Sequence, residues 1–85
     1  MSQNRDNVRR GFIMSILGES IKRFRVARGM LQSDLAGLVG VTRSTIIRWE
    51  AGEFEPKASQ LDTIATALSA KTDWLLHPEE LAQNA

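Results

Sequence analysis

QSDLAGLVGVTRSTIIRWEA, residues 32–51, decides the fold. Its apolar residues sit where two short helices crossing at a tight turn need them. Leu35, Ala36 and Val39 mark the buried side of the first helix, and Ile46 and Trp49 recur at i, i+3 on the second. Ala36 is small, as a close crossing requires. Gly40 can adopt the positive φ that ends a helix without a Cβ penalty. Val41 then points inward from the turn, and Thr42 is a good N-cap for the helix that follows.

Working outward, the pattern predicts three more helices. One precedes the pair, over residues 16–28, with Ser15 as its N-cap and Gly29 as its stop. Leu17, Ile21, Phe24 and Arg28 define one of its faces. Leu31 stands at the N-cap of the helix over residues 32–39, a poor choice that forgoes about 1 kcal/mol. The next helix runs from Arg43 to Glu50 or Ala51, before Gly52 and the loop to Pro56. A fourth is expected over residues 58–69, with Leu61, Ile64, Ala65 and Leu68 on one stripe. A short fifth, over residues 72–76, carries Trp74 and Leu75 and stops before Pro78. The expected organisation is a basic extension at 1–15, an all-α domain at 16–77 and a tail at 78–85. Runs of alternating β-branched residues are missing, so sheet is not expected.

Composition narrows the function. The 85 residues contain no cysteine and a single histidine, His77, so neither a thiolate nor a histidine metal site can be assembled. No paired carboxylates, nucleophile–base set or phosphate-cradling glycine loop appears, so no catalysis and no cofactor are expected. No apolar run approaches the roughly 20 residues of a membrane span, and a cytoplasmic protein is the default. The net charge of +1 conceals an asymmetry. Residues 1–48 hold nine basic side chains against three acids, and residues 49–85 hold two lysines against seven acids. One reading is a face for a polyanion; the other is ordinary solubilising charge.

The motifs Q-x-x-L-A-x-x-x-G-V-T (Gln32–Thr42), I-x-x-W-E-x-G (Ile46–Gly52), Pro56 and I-A-x-A-L…D-W-L-L (Ile64–Leu76) together resemble the Cro and lambda-type phage repressor family of helix-turn-helix proteins. The resemblance spans residues 16–77 and is specific for the family, weak for any one member. It implies a compact five-helix lambda-repressor-like domain that binds double-stranded DNA without cofactor or metal. In such motifs the start of the recognition helix meets base edges while the preceding helix crosses the backbone. With Ile46 and Trp49 inward, a step of about 100° per residue leaves Arg43, Ser44, Ile47, Arg48 and Ala51 outward. Arginine bonds guanine O6 and N7 in bidentate fashion, and an apolar side chain suits a thymine methyl. Arg43, Ser44, Ile47 and Arg48 are thus the expected base-reading set. Backbone contacts are expected from Gln32, Thr42, Thr45, Lys22 and Arg23, with Arg28 adding to the attractive field. Arg25 and Glu50 occupy positions where the family has an inward ion pair joining the first and third helices. The competing readings are a solvated face for the arginines and partial burial for Ile47.

Other features fit less well. Glu53-Phe54-Glu55 is acidic where the family's loop often nears phosphate; either the loop points away or Lys57 and Ser59 take over. Phe54 is either an exposed dimer contact or a ring folded onto the core. Arg5, Arg9 and Arg10 form either a DNA-contacting arm or a non-contributing tail. One short recognition helix rarely supplies enough affinity, so a homodimer on a pseudo-palindromic operator is the leading expectation for a phage or prophage transcriptional repressor. The alternatives are an antitoxin that also binds a small protein toxin, and an interaction module that has lost DNA binding. Arg43, Ser44 and Arg48 speak against the last.

Overall fold

The core is assembled from a few apolar side chains on each of five consecutive helices. The computed structural model describes residues 16–76. Within them α1 is helical over residues 16–27, followed by α2 (Gln32–Val39), α3 (Arg43–Glu50), α4 (Ala58–Ala67) and α5 (Thr72–Leu76), with no strand. Ser15, His77, the basic extension with Arg5, Arg9 and Arg10, and the tail at 78–85 lie outside the described residues. Leu17 and Ile21 of α1, Leu35 and Ala36 of α2, Ile46 and Trp49 of α3, and Ile64 and Ala65 of α4 are buried. Leu68 closes α4, and Leu75 anchors α5. Val39, Val41 and Leu61 pack against this cluster without full burial. Each fully buried leucine or isoleucine contributes roughly 1.5–3 kcal/mol. A five-residue helix such as α5, which cannot stand alone, is held by tertiary burial of this kind.

The first four helices end in one shared way. After α2, Gly40 takes φ 83°, and the N–H groups of Gly40 and Val41 both donate to the Ala36 carbonyl, at 2.8 and 3.0 Å. The same long bond, from an N–H to the carbonyl five residues back, closes α1 (Met30 to Arg25, 3.0 Å), α3 (Glu53 to Arg48, 2.9 Å) and α4 (Ala70 to Ala65, 2.8 Å). It satisfies carbonyls that the helix leaves orphaned. At α4 the left-handed residue is Ser69, φ 53°, so the helix stops at Ala67 and not at the expected residue 69. A left-handed serine was not signalled by its type, because the position usually takes glycine.

Helix starts show a second device. The Thr42 hydroxyl accepts from the Thr45 N–H at 3.3 Å, an ordinary N-cap. Leu31 has no side-chain oxygen to offer α2, but Asp34 reaches back and accepts the Leu31 N–H at 2.8 Å. Gln60 does the same for Lys57 at 2.8 Å. The expected cost of the leucine cap is therefore partly offset from the third helical position.

Two contacts fix α3 against α1. The first is an ion pair: Arg25 Nε donates to Glu50 Oε2 at 2.6 Å and Arg25 Nη2 to Oε1 at 3.1 Å, with the side chains 10% and 5% exposed. Arg25 Nη1 also donates to the Met30 carbonyl at 2.8 Å. The second is the absence of a side chain at Gly18. A Cβ built there would lie 2.5 Å from the Trp49 carbonyl oxygen and 2.7 Å from that of Glu50. Both obstacles are backbone at the end of α3 and cannot swing aside.

Glycines in two helices should consequently respond oppositely to alanine. Gly18→Ala is expected to lose about 2 kcal/mol or more by overpacking, although helix propensity alone favours it by about 1 kcal/mol. Gly37→Ala, on the open face of α2 with nothing within 4 Å of the new Cβ, should gain about 1 kcal/mol; urea unfolding midpoints read both. Glu50→Ala should cost about 3–5 kcal/mol by leaving Arg25 buried and unpaired. Replacing both partners, Arg25→Met with Glu50→Leu, should recover most of that loss in the same assay.

Candidate nucleic-acid interface

α3 is anchored by Ile46, fully buried, and Trp49, 4% exposed. Those two contacts fix the rotation of the helix about its axis. The opposite side carries Arg43, Ser44, Ile47 and Arg48, all exposed, with Ala51 just past the helix end. Ile47 is 38% exposed, so its apolar side chain is partly covered and still presents surface on the outer side.

The two outward arginines have no anionic partner among the described residues. Arg25–Glu50 is the one ion pair among the described residues, and neither Arg43 nor Arg48 donates a side-chain hydrogen bond there. Their guanidinium donors are therefore available. Two other described arginines on this half of the chain, Arg25 and Arg28, differ. Arg25 is 8% exposed, and each of its three nitrogens donates a hydrogen bond. Arg28 lies 5.0 Å over the Phe24 ring and donates to the Ser69 carbonyl at 3.3 Å, so it ties α1 to the end of α4. It sits beyond the end of α1 and is exposed, although the sequence spacing had set it on the helix's apolar face.

An open groove runs beside the start of α3. Lys22 of α1, Leu31, Gln32 and Ser33 at the start of α2, and Arg43 of α3 line it together with Arg25. The structure thus brings Lys22, Gln32 and Arg43 to one place. Free N–H groups at the N-terminus of α2 and two exposed cations make that place suited to an anion. Arg23 instead lines a separate hollow along α1 with Glu19, Lys22, Val26 and Ala27. Gln32 is half-buried, and its amide nitrogen donates to Glu50 Oε1 at 3.1 Å. That bond assigns the amide's orientation, since a carboxylate accepts and cannot donate. The Thr42 and Thr45 hydroxyls bond each other at 3.0 Å. Thr42 is exposed and Thr45 half-buried.

Phe54 is 53% exposed and not folded onto the core. Its ring lies 5.4 Å from the Arg48 guanidinium carbon. This contact had no signal in the sequence, where Phe54 stood apart from the base-facing set. Among the described residues, no helix is long and apolar enough to cross a membrane.

Comparison with known proteins agrees with this geometry. The signature of the Helix-turn-helix family matches residues 21–75. An HTH-type transcriptional regulator, YonR, derived from prophage SPbeta of Bacillus subtilis, is 33% identical over 61 residues, 72% of this chain and 56% of its own length. Repressor protein C2 of Salmonella phage P22 is 34% identical over 61 residues, 72% of this chain and 28% of its own length. The chain therefore spans about half, or less, of the length of these relatives. The crystal structure of the P22 c2 repressor with a synthetic operator superposes with a TM-score of 0.68 at 35% identity, over 71% of this chain and 91% of that one. The restriction-modification controller protein C.AhdI of Aeromonas hydrophila gives a TM-score of 0.70 at 29% identity, over 73% of this chain and 94% of that one. With five helices, Gly40 at the turn and α3 anchored at Ile46 and Trp49, the chain belongs to the helix-turn-helix family of Cro and lambda-type transcriptional regulators.

Proposed function

We propose that this protein binds double-stranded DNA sequence-specifically and acts as a transcriptional repressor of phage or prophage type. It reads a pseudo-palindromic operator as a homodimer. The observation that carries the reading is the outer face of α3, where Arg43 and Arg48 are exposed beside Ser44 and Ile47 and form no ion pair among the described residues. Arginines held this way meet guanine edges in the major groove, each worth about 1–3 kcal/mol of discrimination. Ile47 offers an apolar contact for a thymine methyl, and Ser44 donates or accepts.

The groove of Lys22, Gln32, Ser33 and Arg43 supplies the backbone side of the interface. Gln32, with one amide N–H on Glu50, keeps its second N–H for a phosphate oxygen. Lys22 and Arg23 add charge from α1, and Thr42 and Thr45 lie at the start of α3 where a strand would pass. Phosphate contacts of this sort set register and carry no sequence information. The solved complex of the related P22 repressor with a synthetic operator supports the same docking for this chain. One eight-residue recognition helix covers too few base pairs for operator-level selectivity, which is the physical reason for two copies.

Selection of bound sequences from random duplex DNA, at two salt concentrations, tests the reading. A two-fold symmetric motif is expected, with half-site centres about one helical turn apart. Arg43→Ala should relax preference at one base position of each half-site. Lys22→Ala and Gln32→Ala should weaken all sequences alike, and Lys22→Ala should reduce the salt slope by about 1. An unchanged motif with Arg43→Ala would sink the base-reading role, and an asymmetric motif would sink the homodimer.

A further inference from the structure

Arg48 differs from Arg43 in what lies beneath it. Its guanidinium carbon is 5.4 Å from the centroid of the Phe54 ring, inside the roughly 6 Å range of a cation–π contact. The contact is built by the end of α3 itself. Gly52 takes φ 78° and the Glu53 N–H donates to the Arg48 carbonyl at 2.9 Å, so the chain folds back and delivers Phe54 beside Arg48. The ring is 53% exposed and serves no core.

The neighbouring charges make this choice of partner informative. Glu50, Glu53 and Glu55 all follow Arg48 closely, yet it forms no ion pair with any of them. Glu50 is already committed to Arg25 and Gln32. An ion pair would occupy the N–H donors on the rim of the guanidinium. An aromatic ring brings no carboxylate oxygen to those donors, and bidentate recognition of a guanine needs them.

We propose that Phe54 is a positioning residue that sets the base specificity of Arg48. The ring holds the guanidinium plane and lowers the number of orientations Arg48 must give up on meeting a guanine. Glu53 and Glu55 flank Phe54 in sequence, are exposed and repel phosphate, so Phe54 acts on Arg48 and not on the nucleic acid. The inference rests on the reading of α3 as the recognition helix.

The test repeats the sequence selection with full-length Phe54→Ala, Phe54→Leu and Phe54→Tyr, alongside Arg43→Ala and Arg48→Ala. Thermal unfolding and sedimentation of each variant report folding and self-association. Arg48→Ala identifies the position that Arg48 reads. Phe54→Ala and Phe54→Leu should weaken preference at that position alone by about two- to fivefold, the strength of an exposed cation–π contact, and Phe54→Tyr should restore it. If the Phe54 variants match the parent while the arginine variants alter the motif, the positioning role is overturned and the recognition helix stands. Uniform weakening at every position, with reduced self-association, also overturns it by making Phe54 a dimer contact. If no motif emerges from the parent, the proposed function falls and this inference with it.

Discussion

A single carboxylate, that of Glu50, holds the arrangement on which the exposed face of α3 depends. It terminates α3, where the partial negative charge of the helix end disfavours an anion, and it is nearly shielded from solvent. The position is tenable because Arg25 from α1 meets it with two N–H donors and Gln32 from α2 adds a third. Three helices therefore converge on two oxygen atoms. Desolvation offsets much of the attraction in such a pair. Its main effect here is geometric, since directional donors from two helices define where the end of the third must lie. Gly18 acts beside it by allowing α1 to touch the Trp49 and Glu50 carbonyls. Polar contacts set the orientation, and the absent side chain sets the distance.

The arginines illustrate how one residue type is divided among tasks. Arg25 is structural and spent. Arg28 lies over Phe24 and donates to the Ser69 carbonyl, in a column that continues from Phe24 to Trp74 at 6.2 Å and ends at Lys71 over the Trp74 ring. This column fastens α5 to α1 at the side of the domain where α4 ends. Arg43 and Arg48 alone combine exposure on α3 with free donors. Net charge could not have separated these roles, because each arginine contributes the same unit to it.

The acidic loop after α3 belongs to the same logic. Glu53 and Glu55 are exposed and do not neutralise Arg48, even though they are close in sequence. The loop's contribution to Arg48 is a ring, delivered by the hydrogen bond that caps the helix. A segment that looked unfavourable for a polyanion thus supports the neighbouring cation without consuming its donors.

The five helices, the turn at Gly40 and the outward set on α3 are legible in the order of residues alone. Those depend on local rules: apolar spacing, a cap at Thr42 and the φ freedom of Gly40. The same order also carried the family, through motifs that span the two central helices and the last two. The end of α4 was misplaced by two residues because Ser69 adopts a conformation its type does not advertise. Packing of the folded chain is what requires Gly18 to be bare, lets Asp34 relieve the weak cap at Leu31, and turns the Gln32 amide nitrogen to Glu50. The contact of Arg48 with Phe54 emerged at the same level. Each of these depends on the distance between particular atoms once the chain has folded back on itself. Periodicity reports only which side of a helix a residue faces.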